Sequence, residues 1–301
     1  MASNPPGSCC YKGVKHEGDP VGEFVTIGDF EAYVSWPENK STEHAILLIT
    51  DVIGHRFNNA QLIADQFAAN GYFVLTPDLF DKDPIPLNRP GDFDIMKWLS
   101  GEYHPQKKAH LPPVVDPIID ASIIELRTKY NAKKIGAVGY CFGGKYVVRH
   151  LRPDSGKIDV GYTAHPSFVD AAELRDIKGP LAISAAETDS IFPTEKRHES
   201  EVILKEVGYP YQINLYSGVE HGFAVRGDLN NPVAKYAKES AFLQALQWFE
   251  EHLNTAQQST AQQSTAQHSK AQHSKAQHGP EPVYASGNKW GQWAERYRQL
   301  S

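Results

Sequence analysis

Residues 134–145 read KIGAVGYCFGGK. A mostly apolar run, Lys134–Gly139, passes through an aromatic, a cysteine and a second aromatic into two glycines, and then into the helix-patterned stretch Gly143–Leu151. This is the pattern of a buried strand that turns sharply into a helix. Gly139 and Gly143 stand two residues before and two after Cys141. Strand and helix cross closely at such a turn, so both positions must be small, and the residue between them is held in a strained backbone with its side chain projected. The spacing is that of a nucleophile elbow, with sulfur where serine oxygen usually stands. An isolated cysteine between apolar neighbours is otherwise an inert buried thiol. The strand-to-helix position of Cys141 favours the elbow.

Working outward, strand and helix signals alternate. Upstream, Phe24–Ile27 and Phe30–Trp36 flank Gly28-Asp29 and read as a hairpin, and AILLIT (45–50) as a fully buried strand. A helix over 58–70 closed by Gly71, a strand over 72–76, an irregular proline-rich segment over 84–113 with a short helix near 95–99, and a helix over about 116–130 follow. Downstream, strands are predicted at 159–165, 181–185 and 211–216, with helices near 194–207 and 233–252. Alternation of this kind specifies an α/β protein with a mainly parallel central sheet and helices on both faces. In such sheets the chemistry sits at the carboxyl ends of the strands.

Two candidate partners for the thiol lie at those ends, in the order nucleophile, acid, histidine. Asp189 follows the strand at 181–185 in ETDSIFP, and His221 follows the strand at 211–216 in GVEHGFAVRGD. Either one alone is an ordinary loop residue, a turn-capping aspartate or a solvated histidine. Together with Cys141 they make a nucleophile, a general base and the carboxylate that orients the base. The oxyanion then needs two backbone N–H donors. One is expected from Phe142, just after the nucleophile at a helix start, and the other from the loop after AILLIT, at Val52.

With GYCFGGK, TDSIFP, EHGF and TPDLF read together, the chain resembles the dienelactone hydrolase family over about residues 20–252, and its opening, CCYKGVKHEGDPVGE, resembles fungal members. The resemblance implies the α/β-hydrolase fold, a Cys141/Asp189/His221 triad and no cofactor. It also implies that Asp51, in ITDVIG, is the carboxylate that contacts the resting thiol, at a position where bacterial members carry glutamate. Two cations that hold a substrate carboxylate map onto Lys82, after PDLF, and Arg226, in HGFAVR. The implied activity is hydrolysis of a lactone or carboxylic ester, in aromatic catabolism or secondary-metabolite tailoring. A non-catalytic binding or regulatory module on the same fold is the alternative reading.

The remaining residues narrow the class. The chain has 301 residues with 30 Lys+Arg against 36 Asp+Glu, and no basic stripe, so nucleic acid is not an expected partner. Neither an apolar run of about 18 residues nor a signal-like N-terminus is present, and a cytoplasmic protein without membrane contact is expected. The three cysteines offer no disulfide framework, no C-x-x-C redox motif is present, and no metal-ligand spacing stands out. Residues 1–254 are expected to form the hydrolase domain. Residues 255–278 run as a TAQQS-type pentad repeat expected to be disordered, whose His268, His273 and His278 recur at a spacing that puts no two on one helical face. Residues 279–301 carry an amphipathic stripe, Trp290, Trp293, Tyr297 and Leu300, suited to a short helix and a tail partner.

Overall fold

A computed structural model describes residues 1–254, which lie within one compact unit. The pentad repeat and the Trp290 stripe lie outside the described residues. Eight strands, β1 (Glu23–Ile27), β2 (Phe30–Ser35), β3 (His44–Ile49), β4 (Phe73–Pro77), β5 (Lys134–Tyr140), β6 (Val160–Ala164), β7 (Leu181–Thr188) and β8 (Tyr211–Glu220), form one sheet in the order β1-β2-β4-β3-β5-β6-β7-β8. The Gly28-Asp29 hairpin makes β1 antiparallel to β2, and β2 is antiparallel to β4; the other pairings are parallel. Beyond its first residue, His44, β3 is buried throughout, as its unbroken apolar run requires of a strand covered on both faces.

The helices are α1 (Asn58–Ala69), α2 (Ile95–Leu99), α3 (Pro112–Thr128), α4 (Gly143–His150), α5 (Ala171–Arg175), α6 (Thr194–Val207), α7 (Phe223–Arg226) and α8 (Pro232–Asn254). α1 and α8 are joined by Phe67 against Phe242 and Phe249, with ring centroids 4.8 and 6.0 Å apart. α3, α4 and α5 are tied by Arg149, which bonds Asp116 and Glu173. α3 begins four residues before the sequence-based start. Pro112-Pro113 reads as a breaker, yet prolines at the first helical positions lack only N–H groups that would have no helical partner.

The N-terminal arm, residues 1–22, contains one 3-10 turn, Ser8–Tyr11, and no strand. It is nonetheless stitched to the body. Ser3 N–H donates to Val169 O (3.0 Å), Asn4 N–H to Ile191 O (2.7 Å) and Val14 N–H to Arg226 O (2.9 Å). His16 N–H donates to the buried Asn59 side chain (2.7 Å), whose amide donates in turn to Val14 O and Val225 O.

Candidate active site

The last residue of β5 is Tyr140, and Cys141 follows it with φ at +50°, in the left-handed region that a side chain with a Cβ enters at a cost. Its N–H bonds Ala164 O at the end of β6 (3.1 Å), which holds the turn against the sheet. The two glycines are sterically obligatory. A Cβ on Gly139 would lie 2.6 Å from Gly143 O, and one on Gly143 only 2.0 Å from Ile49 O.

Asp189 leaves the end of β7 in a tight loop in which Oδ1 accepts from the amides of Ile191 (2.7 Å) and Phe192 (2.9 Å). The same carboxylate meets His221 Nδ1 at 3.0 and 2.9 Å. His221 follows Glu220, the last residue of β8, and Gly222 at φ +94° turns the chain away into α7. With Nδ1 donating to Asp189, Nε2 is the face left for the thiol side of the site. Cys10 Sγ stands 3.5 Å from Nε2, and Cys141 Sγ lies 3.7 Å from Ser167 Oγ. Cys141, Asp189 and His221 are all buried.

The electrostatics describe a thiolate facing an imidazolium. Burial opposes charge on both groups, but Cys10 and His221 hydrogen bonding, with Arg226 behind them, hold the Cys141 thiol well below its ordinary range. Burial likewise disfavours charged His221, yet the Cys141 thiolate and the Asp189 carboxylate outweigh it and raise its pKa to about 10. The amides of Val52 and Phe142 have no partner among the described residues, whereas Val52 O accepts from Ile85 N–H (2.8 Å).

A second charged pair lies beside the first. Arg226 Nη1 donates to Asp51 Oδ2, both side chains being 1% exposed. Arg226 Nε donates to Lys12 O (2.8 Å) and Nη2 to Cys9 O (3.1 Å), and Asp51 Oδ1 accepts from Ile53 N–H (3.0 Å). This geometry gives the surroundings of the two residues that the family resemblance sets at a substrate carboxylate. Arg226 has its guanidinium bonded to Asp51 and to the N-terminal arm, which it braces. Lys82 is exposed in a turn at φ +66°, its amide bonded to Asp78 Oδ2 (2.9 Å), and its side chain makes no hydrogen bond or ion pair with Cys141, His221 or Arg226 among the described residues. Asp51 senses the Cys141 charge, since burial first and then the thiolate raise its pKa against Arg226, but its oxygens are bonded to Arg226 and Ile53.

Two neighbours escaped sequence reasoning. Cys10 reaches the site from 211 residues away, so no local spacing announces it. His165, after β6, is buried with neither ring nitrogen paired among the described residues, and its ring centroid lies 4.9 Å from that of His221. Burial, His221 and Arg226 all hold His165 neutral.

The dienelactone hydrolase family model matches residues 30–253. The chain belongs to the dienelactone hydrolase family. Among relatives of this dienelactone hydrolase family member, "Hydrolase tropI" of Talaromyces stipitatus is 64% identical over 253 residues, which cover 84% of this chain and 99% of that one. "Dienlactone hydrolase 1" of Gibberella moniliformis is 33% identical, covering 83% and 95%. Among solved structures, that of a putative dienelactone hydrolase from Klebsiella pneumoniae superposes with a TM-score of 0.60 at 15% identity, over 76% of this chain and 98% of that one. The likeness to the bacterial structure shows the α/β-hydrolase-like fold. Family membership makes the chain a hydrolase of a small-molecule substrate. No described helix is long and apolar enough to cross a membrane.

Proposed function

We propose that the protein hydrolyses a lactone or carboxylic ester through a covalent thioester on Cys141, without a cofactor. The observation that carries the reading is the strained elbow at Cys141 together with a His221 ring clamped by Asp189 through Nδ1, its pKa raised against burial by the Cys141 thiolate. In this reading the Cys141 thiolate attacks the acyl carbon. The developing oxyanion is met by the amides of Phe142 and Val52, and the His221 imidazolium protonates the departing alkoxide. His221, now neutral, then takes a proton from the water that attacks the thioester, and the acid is released with the thiol pair restored. Asp189 fixes the tautomer and remains ionised.

The Asp51–Arg226 pair supports the same reading in a second way. It adds positive charge toward the thiolate while its own charges are balanced, so the nucleophile stays ionised in a buried setting. The test is a panel of cyclic dienelactones, aryl esters and thioesters, run before and after thiol modification. Modification is read by mass spectrometry at Cys141 itself, because Cys9 has a pKa lowered to about 6 by Cys10 and will also react. Activity that survives full modification of Cys141 refutes the proposal.

A further inference from the structure

The triad does not account for why two more thiols are gathered at its histidine. Cys9 Sγ, Cys10 Sγ and a ring nitrogen of His221 all lie within 4.8 Å of one another. We propose that Cys9, Cys10 and His221 form a binding site for a soft divalent cation of the zinc class, and that its occupancy switches the hydrolase off. The second half of that statement rests on the proposed function; the first does not.

The donor set is the first argument. Thiolate and imidazole select zinc-class ions, whereas magnesium and calcium need oxygen ligands. A tetrahedral ion bound at about 2.3 Å to sulfur and about 2.0 Å to nitrogen sets neighbouring S and N donors about 3.5 Å apart. Cys10 Sγ and His221 Nε2 are 3.5 Å apart. Cys9 Sγ lies 4.0 Å from Ser190 Oγ and interacts with Cys10, its neighbour in the proposed site. Three protein donors leave the fourth position of a tetrahedral ion to water or another small ligand.

The shell behind the donors is the second argument. A metal-bound histidine almost always donates its other N–H to a carboxylate or carbonyl. His221 Nδ1 meets Asp189 at 2.9 Å. The Arg226 guanidinium, which would repel a cation, is balanced by Asp51. Binding releases the Cys10 thiol proton and the His221 imidazolium proton to solvent, so the base is held by the ion and can neither give nor take a proton. The arm that delivers Cys9 and Cys10 is thus an inhibitory lobe as well as a brace.

The test uses the full chain, reduced and stripped with EDTA. Zinc chloride should inhibit aryl-ester hydrolysis, and EDTA should restore it. Cobalt(II) should produce an intense near-ultraviolet sulfur-to-metal band. Cys9→Ser leaves the triad in place and should retain hydrolysis, but half-inhibition by zinc should need at least roughly tenfold more ion, the low end of what even an outer-shell loss costs, and the cobalt band should weaken. Equal zinc sensitivity in wild type and Cys9→Ser, activation by zinc, or a cobalt complex without a sulfur band would each overturn the site. If no ester is hydrolysed at all, the cobalt spectrum and its response to Cys9→Ser still decide the question of the metal.

Discussion

Cys141 and Cys10 converge on the same imidazole, and they are held there by opposite means. Cys141 is fixed by local sterics: a strand, a strained residue and a helix within a dozen positions, with Gly139 and Gly143 leaving no room for another arrangement. Cys10 is fixed by an arm whose partners are Val169, Ile191, Arg226 and Asn59, all far along the chain. The elbow is a consequence of backbone geometry, so it is rigid. The arm contains no strand and is held by individual hydrogen bonds and by the burial of Ala2, Cys10 and Tyr11 against the body, so its hold depends on separable contacts. The site therefore joins a rigid reactive half to a half whose attachment can be varied, and substitutions in the two halves should separate activity from stability.

The largest effect belongs to the elbow. Cys141→Ala should lower kcat by on the order of 10⁴–10⁶-fold while the melting temperature moves little, because alanine occupies the same backbone and the sulfur contributes little packing. Measured kcat within tenfold of wild type would remove Cys141 from the mechanism. His221→Ala should be at least as damaging as Asp189→Asn, for which about 10⁴-fold is anticipated. An asparagine at 189 can still accept from the Ile191 and Phe192 amides, so the loop survives, but it no longer selects the tautomer with the proton on Nδ1.

The charge state of the pair gives a pH test. The folded Cys141 pKa is depressed, so its thiolate persists below the ordinary thiol value of about 8.5 and is lost only as pH falls through the lower folded value. The stability gained from that shift is present above the unfolded pKa and disappears on acidification. His221 is raised to about 10, so its contribution is complete below the unfolded value of about 6.5 and is lost as pH rises through about 10. Modification of Cys141 by a small methanethiosulfonate, followed at that residue, should thus be fast well below pH 8. In His221→Ala the acid limb should move upward, because burial then acts with less opposing charge. An unmoved limb would assign the low thiol pKa to Arg226 and Cys10 alone.

The arm should respond in stability. Arg226→Met leaves Asp51 buried without its counter-charge and frees the carbonyls of Cys9 and Lys12, a class of change that costs about 3–5 kcal/mol. Pairing it with Asp51→Asn should recover part of that loss, since no uncompensated charge remains. Denaturant midpoints of the two single variants and the double variant measure this. A double variant as unstable as the sum would mean that the carbonyl bonds to the arm, and not the ion pair, dominate.

The same contrast explains what could be read from the residues beforehand. The elbow, the strand series and the triad order follow from patterns confined to a few neighbouring residues, and the hairpin and the AILLI strand fell within a residue or two of their places. α7 did not, because four residues make one turn with too little periodicity to register. β7 and β8 run past their apolar segments to Thr188 and Glu220, their exposed ends being held by strand pairing, with no hydrophobic signal. Cys10, His165 and the orientation of Arg226 depend on which distant segments meet. For Arg226 the family resemblance implies a ligand contact, and its bonds to Asp51 and the arm could be seen only in the fold.

Lys82 gives the smallest effect and the cleanest control. If it held a substrate carboxylate, Lys82→Ala would raise KM for anionic substrates and leave neutral ones alone. In the structure its ammonium is exposed in a turn, near the Asp81 carboxylate. A mobile, hydrated charge acts on a ligand only through solvent, where ions screen it over about 8 Å at physiological salt. At that separation one charge changes affinity by no more than about twofold, and raising the salt removes even that. Lys82→Ala should therefore leave kcat/KM within about twofold for anionic and neutral esters alike. A tenfold loss confined to anionic substrates, insensitive to salt, would show that the turn at 81–82 folds inward over bound substrate, and the rigid half of the site would then extend to the loop after β4.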